Sequence, residues 1–414
     1  MTTQPILCAI DAQISPGVAG GTETHILLQL SSLAGLTGER FLVMGRKDHT
    51  DELRPFIGPN MELVEYPEPY AWFRPGQRDR FSPGPVWSRL LAPSGHARHR
   101  TPGENDAWLK GRGARLVHFP YPQHFQTRLP FVYEPWGLPH RSLPEAYPAD
   151  ERRWMDALFR DGCEKAALIV TATRWAKDDL VRAYGLSPSK VAVLPRAVPL
   201  EPPGGASPDD ALGDLPSDFA LYPAITWPSK NHVNLLRGIA RLRDDHGIRL
   251  NLVCTGRTKK PEFTRILEEI QRLGLKKQVR FLGSVSRARL SAIFRAARFL
   301  VHPSKFEGLG LPLLEAFSVG LPVIAARATC IPEVVGDAAL LFDPDSPEAI
   351  CAALKRAMEE PRLLSELSAK GARRLEEQFP SGEALADRYA AIYRTAARIP
   401  LSRQDQALME EMLS

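Results

Sequence analysis

Two carboxylates and one lysine stand where short apolar runs give way to turns, and their chemistry suits hydroxyl and phosphate ligands. Glu307 and Glu315 lie in the run 303–315 (PSKFEGLGLPLLE). An ionised carboxylate only accepts hydrogen bonds. Glu307, ahead of a helix start, therefore suits a sugar hydroxyl, and Glu315, within the first helical turns, suits a ribose diol. Gly308 and Gly310 let the backbone turn tightly and approach a ligand. Pro312 fits the first helical turn, where its missing N–H costs nothing. The amides of Gly308, Leu309, Gly310 and Leu311 then point outward at a helix start, a place for phosphate or sugar oxygens. A capped helix with a favourable acidic first turn is the structural alternative. Lys230, in 226–232 (TWPSKNH), also follows a strand at a helix start and can neutralise a diphosphate as a point charge, although surface lysines are common there. Gly20 and Gly21, followed by Thr22, occupy the same kind of place early in the chain, and either admit a diphosphate or sugar or form a tight turn only.

These residues need strands and helices to position them. The first strand is expected at 6–10 (ILCAI), followed by a polar, glycine-rich loop, a helix over about 22–32 and a strand at 41–44. Residues 55–112 are rich in Pro, Gly, Arg and aromatics and show no regular pattern. Strands return at 116–119, 131–133, 168–171 and 191–194, with helices over about 151–166 and 175–184. The second half is more regular, with strands at 219–222, 250–254, 279–282, 299–301, 323–325 and 339–342 alternating with five helices. Short apolar strands alternating with helices predict a parallel sheet covered on both faces. The fold class is thus α/β, with two Rossmann-like domains facing each other across a central cleft, since ligands of such domains bind outside the carboxyl ends of the strands. Composition marks 199–216 (PLEPPGGASPDDALGDLP) as a linker. It separates an N-terminal domain, 1–198, from a C-terminal domain, 217–380. The remainder, 381–414, is helical, with Leu385, Tyr389, Ile392 and Tyr393 on one apolar stripe, and packs on the second domain or crosses back to the first.

A chain of 414 residues exceeds one average core and suits two domains. The net charge of +5 is weak over that length and implies no nucleic-acid partner. Nine basic against three acidic residues between Arg74 and Arg115 form a local excess that suits an anionic acceptor or peripheral contact with a membrane surface, or a solvated loop. The five cysteines are scattered without zinc-ligand spacing, which fits a reducing compartment and implies no cysteine-based metal site. No secretory signal and no run of 18 apolar residues is present, so the expected location is cytoplasmic, including the inner face of a membrane. Oligomeric state is left open.

The run 303–325 (PSKFEGLGLPLLEAFSVGLPVIA) resembles the E-x7-E region of retaining glycosyltransferase family 4, whose architecture is called GT-B. Supporting similarities are 17–26 (GVAGGTETHI), 171–198, 222–236 (YPAITWPSKNHVNLL), 279–286 (VRFLGSVS) and 331–344 (IPEVVGDAALLFDP). The resemblance implies that Gly20 and Gly21 lie near donor phosphates, that Lys230 binds phosphate, that Glu307 faces the donor sugar and that Glu315 holds the ribose. It implies a base-contacting loop at Gly283, Ser284 and Val285, and no metal or other cofactor. Two departures stand out. In 131–140 (FVYEPWGLPH), Trp136 and Gly137 fall where many relatives carry a His-Asp pair, so Trp136 takes a catalytic position with an aromatic face; His118, His124 and His140 are candidate substitutes. Thr226 stands near a common arginine, whose charge Arg196 or Arg257 could supply. The implied function is transfer of a hexose, mannose-like or glucose-like, from a GDP- or UDP-sugar to a hydroxyl of a glycan or glycolipid acceptor. The alternatives are a non-catalytic nucleotide-sugar-binding protein and a nucleotide-sugar epimerase on the same fold.

Overall fold

The computed structural model describes residues 6–14, 21–46, 49–66, 102–196, 212–213 and 215–414. The chain divides into two compact units, Met1–Arg196 with Pro380–Ser414, and Ala197–Phe379. Most of the segment expected as a linker, 199–216, lies outside the described residues, as does most of the basic stretch between Arg74 and Arg115.

The first unit holds seven strands: β1 (Leu7–Asp11), β2 (Arg40–Arg46), β3 (Met61–Tyr66), β4 (Leu116–Phe119), β5 (Phe131–Tyr133), β6 (Leu168–Thr171) and β7 (Val191–Val193). They form one parallel sheet in the order β3-β2-β1-β4-β5-β6-β7. The inner strands β4, β5 and β6 are buried at every position, as an apolar run covered on both faces requires. β3 was not expected from sequence: only one of its six residues is fully buried, and it lies at the sheet edge. The helices Gly382–Ala396 and Arg403–Leu413 belong to this unit, and Leu385, Tyr389, Ile392, Tyr393, Met409 and Met412 enter the core that also holds Ile10, Ile26 and Phe41. Asp405 and Ser402 cap the last helix reciprocally, which fixes where it begins.

The second unit repeats the plan with six strands: β8 (Ala220–Pro223), β9 (Leu252–Thr255), β10 (Val279–Phe281), β11 (Phe299–His302), β12 (Val323–Ala326) and β13 (Ala339–Phe342). Their order is β10-β9-β8-β11-β12-β13, again parallel. Both sheets are thus doubly wound, and in each the order reverses beside the first strand: between β1 and β4, and between β8 and β11. At such a reversal the chain leaves neighbouring strands in opposite directions, opening a crevice at their carboxyl ends.

Candidate functional site

The crevice of the second unit is where the two expected charges meet. β8 ends at Pro223, and the loop after it turns through Pro228–Lys230 before Asn231, held at φ 56°, starts the helix His232–His246. β11 ends at His302, and its loop carries Glu307 to the helix Leu311–Ser318. Lys230 Nζ donates to Glu307 Oε1 across 2.6 Å, although the two residues are 77 positions apart. The loops themselves are fastened. The Lys305 amide donates to the Ser229 carbonyl at 2.8 Å, and the Asn231 amide group donates to the carbonyls of Pro303 and Pro344. Tyr222, fully buried in β8, donates its hydroxyl to the Lys230 carbonyl. From behind, the Glu307 amide donates to Thr329 Oγ1 at 3.1 Å.

Gly310 takes φ 78° just ahead of the helix Leu311–Ser318, a conformation that side chains disfavour, and Pro312 follows in the first turn. Pro312 has no N–H and the Leu313 amide donates to the Gly310 carbonyl at 2.9 Å, which leaves the Leu311 amide without an acceptor inside the helix, and the dipole adds positive charge there. Burial pushes the Glu307 carboxyl up, but the Lys230 ammonium and the His302 hydrogen bond pull it well below the usual carboxylate range. Glu315 is buried on the same helix, with Arg287 Nη1 at 3.7 Å; burial raises its carboxyl and Arg287 offsets this only in part. Both carboxylates are therefore held by the second unit, with opposite electrostatic settings.

Gly283, Ser284 and Val285 form the turn after β10, with Gly283 at φ 66° and Ser284 exposed. This turn is tied to its neighbours. The Gly256 amide donates to the Gly283 carbonyl at 2.8 Å, and the Thr226 amide donates to the Arg257 carbonyl at 3.0 Å. Thr226 is buried, and its Oγ1 accepts from the Lys259 amide at 2.7 Å, so it clamps the cationic loop after β9 beside the one that carries Lys230. Burial, with repulsion from Arg257, lowers the Lys259 ammonium to about 8. Arg196 is placed otherwise: it is buried in the first unit, donating to Glu134 at 2.8 Å.

Glu134 was missed from the sequence. It follows β5, is fully buried, and pairs with His25 at 3.1 Å, His118 at 3.0 Å and Arg196 at 2.8 Å, while Tyr389 donates to it at 3.2 Å. Burial works against its charge, but Arg196 and the two histidines hold the carboxyl well below its ordinary range. Two residues on, Trp136 takes φ 60°, a strained value for a bulky side chain, followed by Gly137 at φ 104°. The ring of His25 meets Trp136 edge-on at 5.3 Å. Of the candidate substitutes, His118 serves Glu134, His124 pairs with Asp161 at 3.1 Å and His140 with Asp156 at 3.4 Å. The signal for His25 was its place in the glycine-loop segment 17–26; a glutamate between a strand and a proline gave none for Glu134. Gly21 opens the helix Gly21–Leu33 and is exposed, whereas Gly20 lies outside the described residues. Among the described residues no cluster of three or more His, Cys, Asp or Glu is arranged to hold a metal ion, and no helix is long and apolar enough to cross a membrane.

Comparison with known proteins bears on both units. Residues 19–202 match the family described as Glycosyltransferase Family 4, and residues 215–374 match Glycosyl transferases group 1. The chain is 30% identical over 227 residues to O-antigen chain mannosyltransferase B of Escherichia coli, covering 53% of this chain and 58% of that protein. It is also 30% identical over 234 residues to the MMP alpha-(1->4)-mannosyltransferase of Mycolicibacterium hassiacum, covering 55% and 54%. The matches thus span little more than half the length of these curated relatives. A glycosyltransferase from Rickettsia africae superposes with TM-score 0.67 at 15% identity, covering 95% of this chain and 99% of that one. Anabaena Alr3699/HepE in complex with UDP and glucose superposes with TM-score 0.66 at 16% identity, covering 94% and 99%. At such identities the likeness shows the fold: two Rossmann-like domains in a GT-B-like architecture.

Proposed function

We propose that this chain, which has the GT-B architecture of the glycosyltransferase superfamily, is a retaining, metal-independent transferase of family 4. It moves a hexose from a nucleotide diphosphate sugar to a hydroxyl of a glycan or glycolipid. The observation that carries this reading is the Lys230–Glu307 pair, set at the sheet reversal and just ahead of the helix Leu311–Ser318. The names of the E. coli and Mycolicibacterium relatives favour mannose as the sugar, and the UDP bound to the Anabaena structure keeps a UDP-sugar open beside a GDP-sugar. The site of action is the cytoplasm, at the inner face of a membrane when the acceptor is a lipid.

In this reading Lys230 and the amides of Gly308, Leu309, Gly310 and Leu311 face the diphosphate. They stabilise the charge that grows on it as the bond from the sugar anomeric carbon to phosphate oxygen breaks. The acceptor oxygen forms its bond to that carbon on the face that preserves configuration, and the leaving phosphate takes the acceptor's proton. No protein carboxylate has to act as base. Glu307 accepts from the sugar hydroxyls, and Glu315 from the ribose. Gly283, Ser284 and Val285 face the base, and Arg257 and Lys259 add positive charge.

The test is a binding screen of GDP-, UDP-, ADP- and dTDP-sugars, followed by product analysis with acceptor pools. One nucleotide sugar should bind and give a glycosylated product, and Lys230→Ala and Glu307→Ala should each cut turnover sharply. Near-normal turnover in both variants would sink the site assignment. Binding without transfer or donor hydrolysis would replace the reading with a non-catalytic one, and an isomerised nucleotide sugar formed without acceptor would favour an epimerase.

A further inference from the structure

Glu307 Oε1 has two partners of different kinds. Lys230 Nζ approaches to 2.6 Å from a long side chain that is 20% exposed. His302 Nε2 approaches to 2.9 Å from the end of β11, where its side chain is 1% exposed. The imidazole is fixed by its surroundings: β11 lies between β8 and β12, and Tyr222 packs against the ring edge-on at 5.9 Å. Because the Glu307 carboxyl is held ionised, it can only accept, so His302 presents Nε2–H to it. The other ring nitrogen, Nδ1, is buried and has no hydrogen-bond partner among the described residues.

The two partners therefore respond differently to an incoming anion. An ammonium already paired with a carboxylate is neutralised, and an incoming diphosphate, with more negative charge, competes with Glu307 for it. A carboxylate that loses its lysine loses the group that oriented it, unless a second donor stays. We propose that His302 is a positioning residue of the donor site: it holds the Glu307 carboxylate in place when the diphosphate of a nucleotide sugar draws Lys230 off. The carboxylate then meets the sugar hydroxyls already oriented, and the lysine is released to the phosphates without disordering its former partner. This rests on the donor-site reading proposed above and adds to it a residue that touches neither sugar nor phosphate.

The experiment separates binding from turnover in the full chain. UDP and GDP affinities are measured by calorimetry, and kcat is measured with the nucleotide sugar found to be turned over. His302→Leu should bind the nucleoside diphosphate within about threefold of the unsubstituted protein, because phosphate contacts are untouched, while kcat falls about 10- to 100-fold through loss of a hydrogen bond to a charged group. His302→Gln, whose amide nitrogen reaches the place of Nε2, should recover most of that loss. Nitrogen-15 spectra of the histidine ring should show Nε2–H before and after the nucleoside diphosphate is added, which keeps the proposal testable if His302→Leu does not fold. Unimpaired kcat in His302→Leu, equal loss in the Leu and Gln variants, or a change of ring tautomer on binding would each overturn the role of His302. Failure of the unsubstituted chain to bind any nucleoside diphosphate would instead overturn the donor-site reading, and this proposal with it.

Discussion

A single oxygen of Glu307 holds the Lys230 ammonium that the proposed donor needs, so the two residues have opposite effects on nucleotide binding. Removing Lys230 takes away a positive charge from the phosphates. Neutralising Glu307 removes the competitor for that charge. Lys230→Ala should therefore weaken nucleoside diphosphate binding by about 10-fold or more, whereas Glu307→Gln should tighten it about 3- to 10-fold while lowering turnover. Calorimetric titration with UDP and GDP checks both signs; weaker binding by Glu307→Gln would mean that Glu307 does not restrain Lys230. At this scale the sequence was partly legible. Lys230 and Glu307 could be singled out because each is a charged residue just past an apolar strand beside glycine or proline. His302 could not, because a histidine closing a strand reads as part of the core until the turn that brings Glu307 back over it is known.

The turn itself depends on Gly310. Its φ of 78° lies in the left-handed region, and a Cβ there would meet Leu313 Cδ1 at 2.8 Å. The end of a leucine side chain can shift, but the backbone angle remains unfavourable. Gly310→Ala should cost about 1–2 kcal/mol and, by turning the first amides of the helix Leu311–Ser318, weaken nucleoside diphosphate binding; chemical denaturation and calorimetry measure the two effects. Unchanged binding in a measurably destabilised Gly310→Ala would remove those amides from the site. Elements as a class were the most readable feature of the chain. β4, β5 and β6 fall on the expected residues, because buried parallel strands are apolar runs bounded by turns, and the partly buried edge strand β13 does so through its apolar run ALLF. β3 was hidden, since an edge strand with one fully buried residue beside a Pro- and Arg-rich stretch carries little apolar signal. The helix Pro361–Gln378 was also not expected; a single residue, Glu360, separates it from the helix Pro347–Glu359.

At the scale of the whole molecule, the first unit is assembled from both ends of the chain around Glu134. Arg196 comes from just after β7, His25 from the first helix, and Tyr389 from the helix Gly382–Ala396, and all are buried. Periodicity in the sequence showed that the C-terminal helix had an apolar face but not which core received it; the tyrosine hydroxyls are what a hydrophobic stripe conceals. Arg196 also donates to Tyr389 at 2.8 Å, so the ionic pair and the C-terminal helix are held together. Replacing Glu134 alone with Gln leaves Arg196 charged and buried, a loss of about 3–5 kcal/mol in the first unit. Replacing both, as in Glu134→Leu with Arg196→Met, removes the stranded charge and should recover much of that loss. The pH dependence has a definite sign. The folded Glu134 carboxyl is held below its unfolded value of about 4.3, so the unfolded state binds more protons between the two values. The contribution of Glu134 is thus complete above about pH 5 and is lost as the pH falls through its folded value. The gap between the parent protein and Glu134→Gln should therefore narrow below about pH 4. Tryptophan fluorescence during urea unfolding reads this unit, since six of the seven tryptophans lie before Arg196 and only Trp227 lies in the second. A single Gln variant as stable as the parent at pH 7, or a double variant no better than the single one, would show that the buried charges do not hold the C-terminal helix to the first unit.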